Sequence, residues 1–400
     1  MRHTAPNTFF YGIARVVSNL AARLLFRRRF LRNEIKNAPG PFVVIANHQT
    51  ALDFVNLIGA CKKPMNFVVS RSIFGTLPLQ GFLSKLGLIP KQQFQTEVSD
   101  LKKMKSVVAS GGRLAIYPAG LMCEDGLSTP IPEATYKFLK WLGTDVYVAR
   151  SYGSYFVLPK WSSVLRPGRT YIDIYKLFSA QELAAMDEES IRLRTEEALL
   201  FDAYREQEGY RVRFSGCRNI AGLEDVLYIC PYCGEEFSIR LKCKNILQCE
   251  KCGYAQQSDD YAMLHKCSVH GEELRYVSDW SRLIFNKVLS SVEKGEFTSI
   301  SSPSVFCSLE EGKHRFRPVG SGTLSLSAKG FRIEGEIDGE FADILVPIKN
   351  IPSLPFSPGK YLEVQHGSKI YRCILEDGRL VMKFINLLKS FHTLSSTAKI

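Results

Sequence analysis

Nothing in the 400-residue chain reads as a bilayer-spanning helix, because no long hydrophobic run is free of charge. The most apolar stretch, Phe9 to Phe26, is interrupted by Arg15, Asn19 and Arg23, and each arginine near a bilayer centre costs about 2.5 to 3.5 kcal/mol. No stretch of the sequence reads as a secretory signal peptide, and the eleven cysteines are an odd number. A disulfide-stapled secreted fold is therefore not expected, and the thiols read as metal ligands or core residues in a reducing compartment. No internal repeat is visible. Acidic residues are in deficit, 40 against 52 Lys and Arg, and the net charge of +12 implies an anionic partner: nucleic acid, lipid headgroups or a phosphorylated substrate. What the chain does have is 45% hydrophobic and 23% charged residues, the balance of a folded protein, at a length suited to two or three domains.

On a helical wheel Phe9, Phe10, Ile13, Val16, Val17, Leu20 and Leu24 share one side, with Arg15, Ser18, Asn19 and Arg23 opposite. Arg27, Arg28, Arg29 and Arg32 follow at once. An amphipathic helix beside a basic cluster predicts docking on an anionic membrane surface, each cation adding about 1 kcal/mol.

From Asn37 to Tyr175 short β-branched runs alternate with helical patterns: Phe42–Ala46, Phe67–Val69, Leu114–Tyr117, Val146–Ala149 and Tyr171–Tyr175 read as buried strands. The alternation predicts an α/β domain with a mixed, largely parallel sheet, helices on both faces and sites on loops at strand ends. Ser179 with Glu182 is a capping-box signature, opening helix-forming sequence that runs to about Glu208. Residues Ser301 to Pro318, polar and weakly patterned, read as a linker. Beyond it, alternation in Thr323–Ser327, Phe331–Ile333 and Ile370–Ile374 and an apolar helix around Leu380 to Phe391 resemble a pleckstrin-homology or GRAM-like β-rich domain.

Cys230, Cys233, Cys249 and Cys252 form a Cys-x2-Cys-x15-Cys-x2-Cys pattern with a glycine after each pair, the spacing of a four-cysteine zinc ribbon. Four thiolates satisfy tetrahedral zinc and leave no open position, so this Zn2+ is expected to be structural. Cys243 and Cys267 read as core residues, and neither His265 nor His270 is needed by the metal.

Asn47-His48-Gln49-Thr50-Ala51-Leu52-Asp53 follows a strand and opens a helix, setting a loop histidine near an acid in a first helical turn. Acyl transfer to an alcohol needs a base for the hydroxyl proton, which neutral imidazole supplies, and an acid to orient the ring. As a bare pattern, histidine followed five places later by aspartate is common by chance; its specificity comes from context.

That context resembles the phospholipid/glycerol acyltransferase family, the kind that acylates 1-acyl-glycerol-3-phosphate. Its first block is Asn-His-x4-Asp after a strand. Gly87-Leu88-Ile89-Pro90-Lys91 resembles the second block, Tyr117-Pro118-Ala119-Gly120-Leu121-Met122-Cys123 the third, and Val146–Ala149 with Pro159-Lys160-Trp161 the fourth and its flank. The resemblance implies His48 as base, Asp53 as its partner, and Asn47, Lys91, Pro118 and Gly120 as substrate-binding residues, to which Arg71 and Arg150 are added as further candidate bases for the acceptor. It departs in the third block, where Ala119 and Met122 stand in place of a Glu and an Arg linked to acceptor binding. A lost guanidinium removes a bidentate phosphate contact, so either the acceptor differs from 1-acyl-glycerol-3-phosphate or another base, Arg71, Lys91 or Arg150, holds the phosphate. Cys123 reads as a packing residue, and Glu188, Glu189, Glu196 and Glu197 as solvated helix faces.

The expected layout is an amphipathic membrane-surface helix over 1–36, an acyltransferase domain over 37–215, a zinc ribbon over 216–275, a helix and linker over 276–318 and the β-rich domain over 319–400. The expected function is O-acyl transfer from acyl-CoA or acyl-ACP (acyl carrier protein) to the hydroxyl of a lysophospholipid acceptor, by a peripheral protein on the cytoplasmic side of a membrane. The alternatives are an inactive relative serving as a lipid-binding module, and a zinc-ribbon nucleic-acid-binding protein. The basic excess sits beside the apolar N-terminal helix and not on an aromatic-rich ribbon, so no nucleic acid partner is expected.

Overall fold

The computed structural model describes residues 5–71, 85–91, 97–309, 315–351 and 353–397. They form two compact units, the first over 1–160, 164–217 and 260–262, the second over 161–163, 218–259 and 263–400.

In the first unit, strands β1 (Arg29–Asn33), β2 (Phe42–Ala46), β3 (Asn66–Ser70), β4 (Leu88–Lys91), β5 (Arg113–Ile116), β6 (Asp145–Tyr152) and β7 (Tyr171–Phe178) make one sheet in the order β1-β7-β6-β2-β5-β3-β4. Every pairing is parallel except β6 with β7. The helices are α1 (Thr8–Leu24), α2 (Asp53–Ile58), α3 (Val98–Ala109), α4 (Ala134–Leu142), α5 (Ser154–Val157), α6 (Ala180–Ala185), α7 (Glu188–Leu199) and α8 (Ala203–Tyr210). Central strand β2 is buried at all five positions because both faces are covered. Val43 and Ile45 pack with Met104 and Val107 of α3, Leu139 of α4 and Ile191 of α7. Phe42, Val44 and Ala46 pack with Tyr11 of α1 and Leu57 and Ile58 of α2. This is the mixed, largely parallel α/β layer expected. Ser179 does cap α6 through a complete capping box, and the helical sequence beyond it breaks into three helices, α6, α7 and α8.

Two boundaries need correction. Arg29–Asn33 is not an appendage of the N-terminal helix but an edge strand paired with β7, and Arg32 holds Asp173 by two bonds of 2.7 and 2.6 Å. Residues 260–262, assigned to the ribbon, return to the first unit, where Gln207 Nε2 donates to the Tyr261 carbonyl at 3.1 Å.

Helix α1 is packed the opposite way from a core helix. Tyr11, Ala14, Ser18 and Ala22 are buried, whereas Phe9 and Val16 are each 70% exposed and Val17, Leu20 and Leu24 about as open. Among the described residues no helix is long and apolar enough to cross a membrane.

The second unit contains β8 (Ile239–Lys242), β9 (Ile246–Cys249), β10 (Ala255–Ser258) and β11 (Leu264–Lys266) in one antiparallel sheet, and helix α9 (Val277–Glu293). Strands β12 (Ser299–Leu309), β13 (Arg317–Ser327), β14 (Gly330–Ile337), β15 (Glu340–Pro347), β16 (Phe356–Ser357), β17 (Tyr361–His366) and β18 (Lys369–Leu375) form an antiparallel sheet ordered β15-β14-β13-β12-β18-β17-β16, followed by α10 (Leu380–Thr397). The linker expected at 301–318 is largely strand β12 and the start of β13; residues 310–314 of it lie outside the described residues. Its inward positions include Ser302, Ser304 and Ser308, which hide the period-two signal that apolar residues would give. Nor is the ribbon a free-standing module: Trp280 Nε1 of α9 donates to the Ile229 carbonyl at 2.8 Å, and Lys383 of α10 pairs with Glu236 at 2.5 Å.

Candidate active site

The parallel strands β6, β2, β5, β3 and β4 present their carboxyl ends along one edge, where loop residues collect. After β2 the chain turns through Asn47–Leu52 into α2. Asp53, the first residue of α2, is 2% exposed. Its Oδ2 accepts from the Gln49 N–H at 2.7 Å, the Thr50 N–H at 3.0 Å and His48 Nδ1 at 2.9 Å. A carboxylate oxygen that collects two backbone N–H groups is an acceptor, so Nδ1 carries the ring proton and Nε2 keeps its lone pair. That is the tautomer a general base needs.

The loop is held from both sides. Asn47 is clamped to β6, its Nδ2 donating to the Ser151 carbonyl at 2.9 Å and its Oδ1 accepting the Ser151 N–H at 2.8 Å. Gln49 Oε1 accepts the Tyr155 N–H at 3.0 Å. The Tyr117 ring lies 4.6 Å from the His48 ring, tilted by 30°, with its hydroxyl buried and its pKa pushed well up by that burial. Several polar atoms here are buried without a protein partner: Asp53 Oδ1, Thr50 Oγ1, Gln49 Nε2 and Tyr117 OH.

His48 opens into a cleft of about 320 Å³ lined by Asn47, Pro118, Ala119, Leu121, Ser128–Ile131, Glu196 and Leu199–Phe201. Of the predicted catalytic and substrate-binding residues, Asn47, His48 and Pro118 line this cleft, with Asp53 behind the ring; Arg71, Lys91, Gly120 and Arg150 are not among the lining residues. Gly120 is the turn residue of the third block, at φ +69° with its N–H on the Tyr117 carbonyl at 3.0 Å, a conformation that favours glycine. Arg71 follows β3 and pairs with Glu97 at 2.9 Å and buried Asp100 at 3.5 Å. Lys91 ends β4 opposite Ser70, its pKa lowered by burial. Arg150 pairs with Glu206 at 2.6 Å. Buried Cys123, its thiol pKa raised by desolvation, is a packing residue. Glu196, read as a solvated helix residue, instead lines the cleft, accepting from Tyr136 OH at 2.8 Å and Arg192 at 2.7 Å. Sequence reasoning missed the cleft walls at 128–131 and 199–201 because the first is irregular loop and the second a helix end, each brought to His48 only by the fold.

Residues 28–148 match the family model named Acyltransferase. The chain carries an acyltransferase domain. The matched segment runs from the start of β1 into β6 and holds the whole His48–Asp53 loop and the third-block turn. A crystal structure of the 1-acyl-sn-glycerophosphate (LPA) acyltransferase PlsC from Thermotoga maritima is similar at 17% identity, over 47% of this chain and 76% of that one, with a TM-score of 0.40. No match is found among curated proteins.

In the second unit the sulfurs of Cys230, Cys233, Cys249 and Cys252 all lie within 4.8 Å of one another. Cys230 and Cys252 are 3.6 Å apart and Cys233 and Cys249 3.7 Å. Sulfurs bonded at about 2.3 Å to a tetrahedral zinc would stand about 3.8 Å apart, so the donor set fits that ion. Backbone N–H groups of Tyr232 and Cys233 reach the Cys230 sulfur, and those of Lys251 and Cys252 reach Cys249. Cys243 and Cys267 are exposed rather than core residues; Cys243 sits in the β8–β9 hairpin turn at φ +51°.

Proposed function

We propose that the chain is an O-acyltransferase that moves a fatty acyl group from an acyl thioester, carried on coenzyme A or acyl carrier protein, to the hydroxyl of a single-chain lipid, with His48 as general base. The observation that carries this reading is the His48–Asp53 pair at the mouth of a cleft, at the carboxyl edge of the sheet in an acyltransferase domain. The acceptor hydroxyl gives its proton to His48 Nε2 while its oxygen attacks the thioester carbonyl. Asp53 holds the imidazolium that results. The tetrahedral intermediate collapses with cleavage of the C–S bond, and the leaving thiolate takes the proton back, giving ester and free thiol.

The outward stripe of α1 serves this chemistry by docking the unit on a membrane, where such an acceptor resides; Phe9, Val16, Val17, Leu20 and Leu24 enter the interface. Arg27 and Arg29, both exposed, supply attraction to anionic headgroups. Zinc held by the four cysteines is structural, since a four-sulfur shell has no open position. The seven strands and closing helix of the second unit are read as a pleckstrin-homology or GRAM-like domain on the strength of their order. Incubation with a radiolabelled acyl thioester, anionic vesicles and a panel of lysolipids tests the central reading: labelled diacyl product is expected, and thioester left intact with every acceptor would defeat it.

A further inference from the structure

We infer that the acceptor accommodated beside His48 carries no phosphate next to its reacting hydroxyl, and that the enzyme acylates an uncharged lipid alcohol of the monoacylglycerol or glycolipid type. This rests on the reading of His48 as the acyl-transfer base. The hydroxyl to be acylated must reach His48 Nε2, so whatever lies a few bonds away on the acceptor must sit within the same cleft. Among the described residues, no lysine or arginine lines it. Among the described residues the one charged lining group is a carboxylate, Glu196, already engaged by Tyr136 and Arg192. A phosphate placed there would lose its hydration and face Glu196, whose own counter-charge, Arg192, is shared with Glu189 and is not among the lining residues, so its burial would go uncompensated.

Two of the three cations named as replacements for the missing third-block arginine are paired with carboxylates. Arg150 is bound to Glu206, and Arg71 to Glu97 and Asp100. From β2, strands β3 and β4 are two and three places along the sheet, so the backbones that lead to Arg71 and carry Lys91 run on the order of 10 and 14 Å from the strand that leads to His48 at the usual strand spacing. Lys160 donates to the Met122 carbonyl at 3.4 Å and does not line the cleft. Segments 72–84 and 92–96, outside the described residues, contain no Lys or Arg. At position 119, where the resembled block has Glu, the cleft wall is a methyl group.

The test compares short-chain monoacylglycerol with the matching 1-acyl-glycerol-3-phosphate, both below micelle formation, using the full chain and a soluble acyl-CoA. A kcat/KM at least about tenfold higher for the neutral acceptor is expected; equal or better use of the phosphate ester overturns the inference. The chain's positive charge would favour the anionic acceptor if charge at large decided the matter, which makes the expected order discriminating. Binding is read independently of turnover by protection of His48 from carbethoxylation, mapped by peptide mass spectrometry. If neither acceptor is acylated but the neutral one protects at about tenfold lower concentration, the selectivity stands and the acyltransferase reading fails. Protection by the phosphate ester at equal or lower concentration sinks the inference whatever the turnover. In an Ala119→Arg variant, a cation added to the cleft should shift the protection order toward the phosphate ester.

Discussion

The two polar constellations of the chain differ in how completely they are closed. Around Cys230, Cys233, Cys249 and Cys252 each sulfur has the other three within 4.8 Å, and backbone N–H groups of both knuckles turn inward. Around His48 and Asp53 the opposite holds: one carboxylate oxygen takes three donors while the other, together with Tyr117 OH, Thr50 Oγ1 and Gln49 Nε2, has no protein partner. Closure suits a group that must hold a fold together. Unmet capacity suits one that has to bind and release something else, and its cost is carried by the packing around it.

The largest effect should come from His48→Ala, which removes the proton acceptor and is expected to lower kcat by about a thousandfold or more while leaving the thermal midpoint of the first unit unchanged. Near-normal turnover in the folded variant would break the contrast at its open end. Asp53→Asn keeps the shape but offers Oδ1 and an amide in place of a carboxylate. A hundredfold loss is expected, with a small loss of stability because the Gln49 and Thr50 N–H bonds weaken. Cys252→Ser attacks the closed end: about one zinc per chain should fall to none, with loss of structure in the second unit measured by hydrogen exchange. Metal analysis of the unaltered protein finding no zinc would remove the basis of that expectation.

Smaller effects probe the exceptions on each side. Val17→Glu with Leu20→Glu should weaken flotation with anionic liposomes by about tenfold or more, since each apolar side chain contributes about 1.5 to 3 kcal/mol when buried, yet leave circular dichroism unchanged because both positions face outward. In the second unit Asp225 is an ill-matched group, its pKa pushed up to about 6 by burial and then by Glu224. The folded state therefore holds that proton more tightly than the unfolded chain. Its contribution to stability is complete below about pH 4 and is lost as pH rises through about 6. Asp225→Asn should flatten that dependence and raise the unit's unfolding midpoint at pH 7.

Strands with branched, buried residues on both faces were legible: Phe42–Ala46 was read residue for residue. Strand β1 was not, because Arg29 and Arg32 made an exposed edge look like a cationic tail, and β12 was hidden by inward serines. The dyad was visible as a spacing, and the cysteine cluster as a stronger one. What the sequence could not show is which cations are already spoken for. Arg150 and Arg71 looked available until Glu206, Glu97 and Asp100 were placed beside them, and Glu196 looked solvated until the fold turned it toward His48.

Arg28 is a mechanical part of the first unit. Buried enough for its pKa to be lowered to about 10, it reaches Asn19 Oδ1 of α1 at 2.8 Å with one nitrogen and the Asn56 carbonyl of α2 at 2.7 Å with another. Helix α2 begins at Asp53. The guanidinium is thus a strut between the helix that carries the outward apolar stripe and the helix that carries the acid of the dyad. Were that stripe to rest in a lipid surface as proposed, the height of His48 above the surface would be set by this strut rather than by a tether, and so would the depth from which an acceptor has to be lifted.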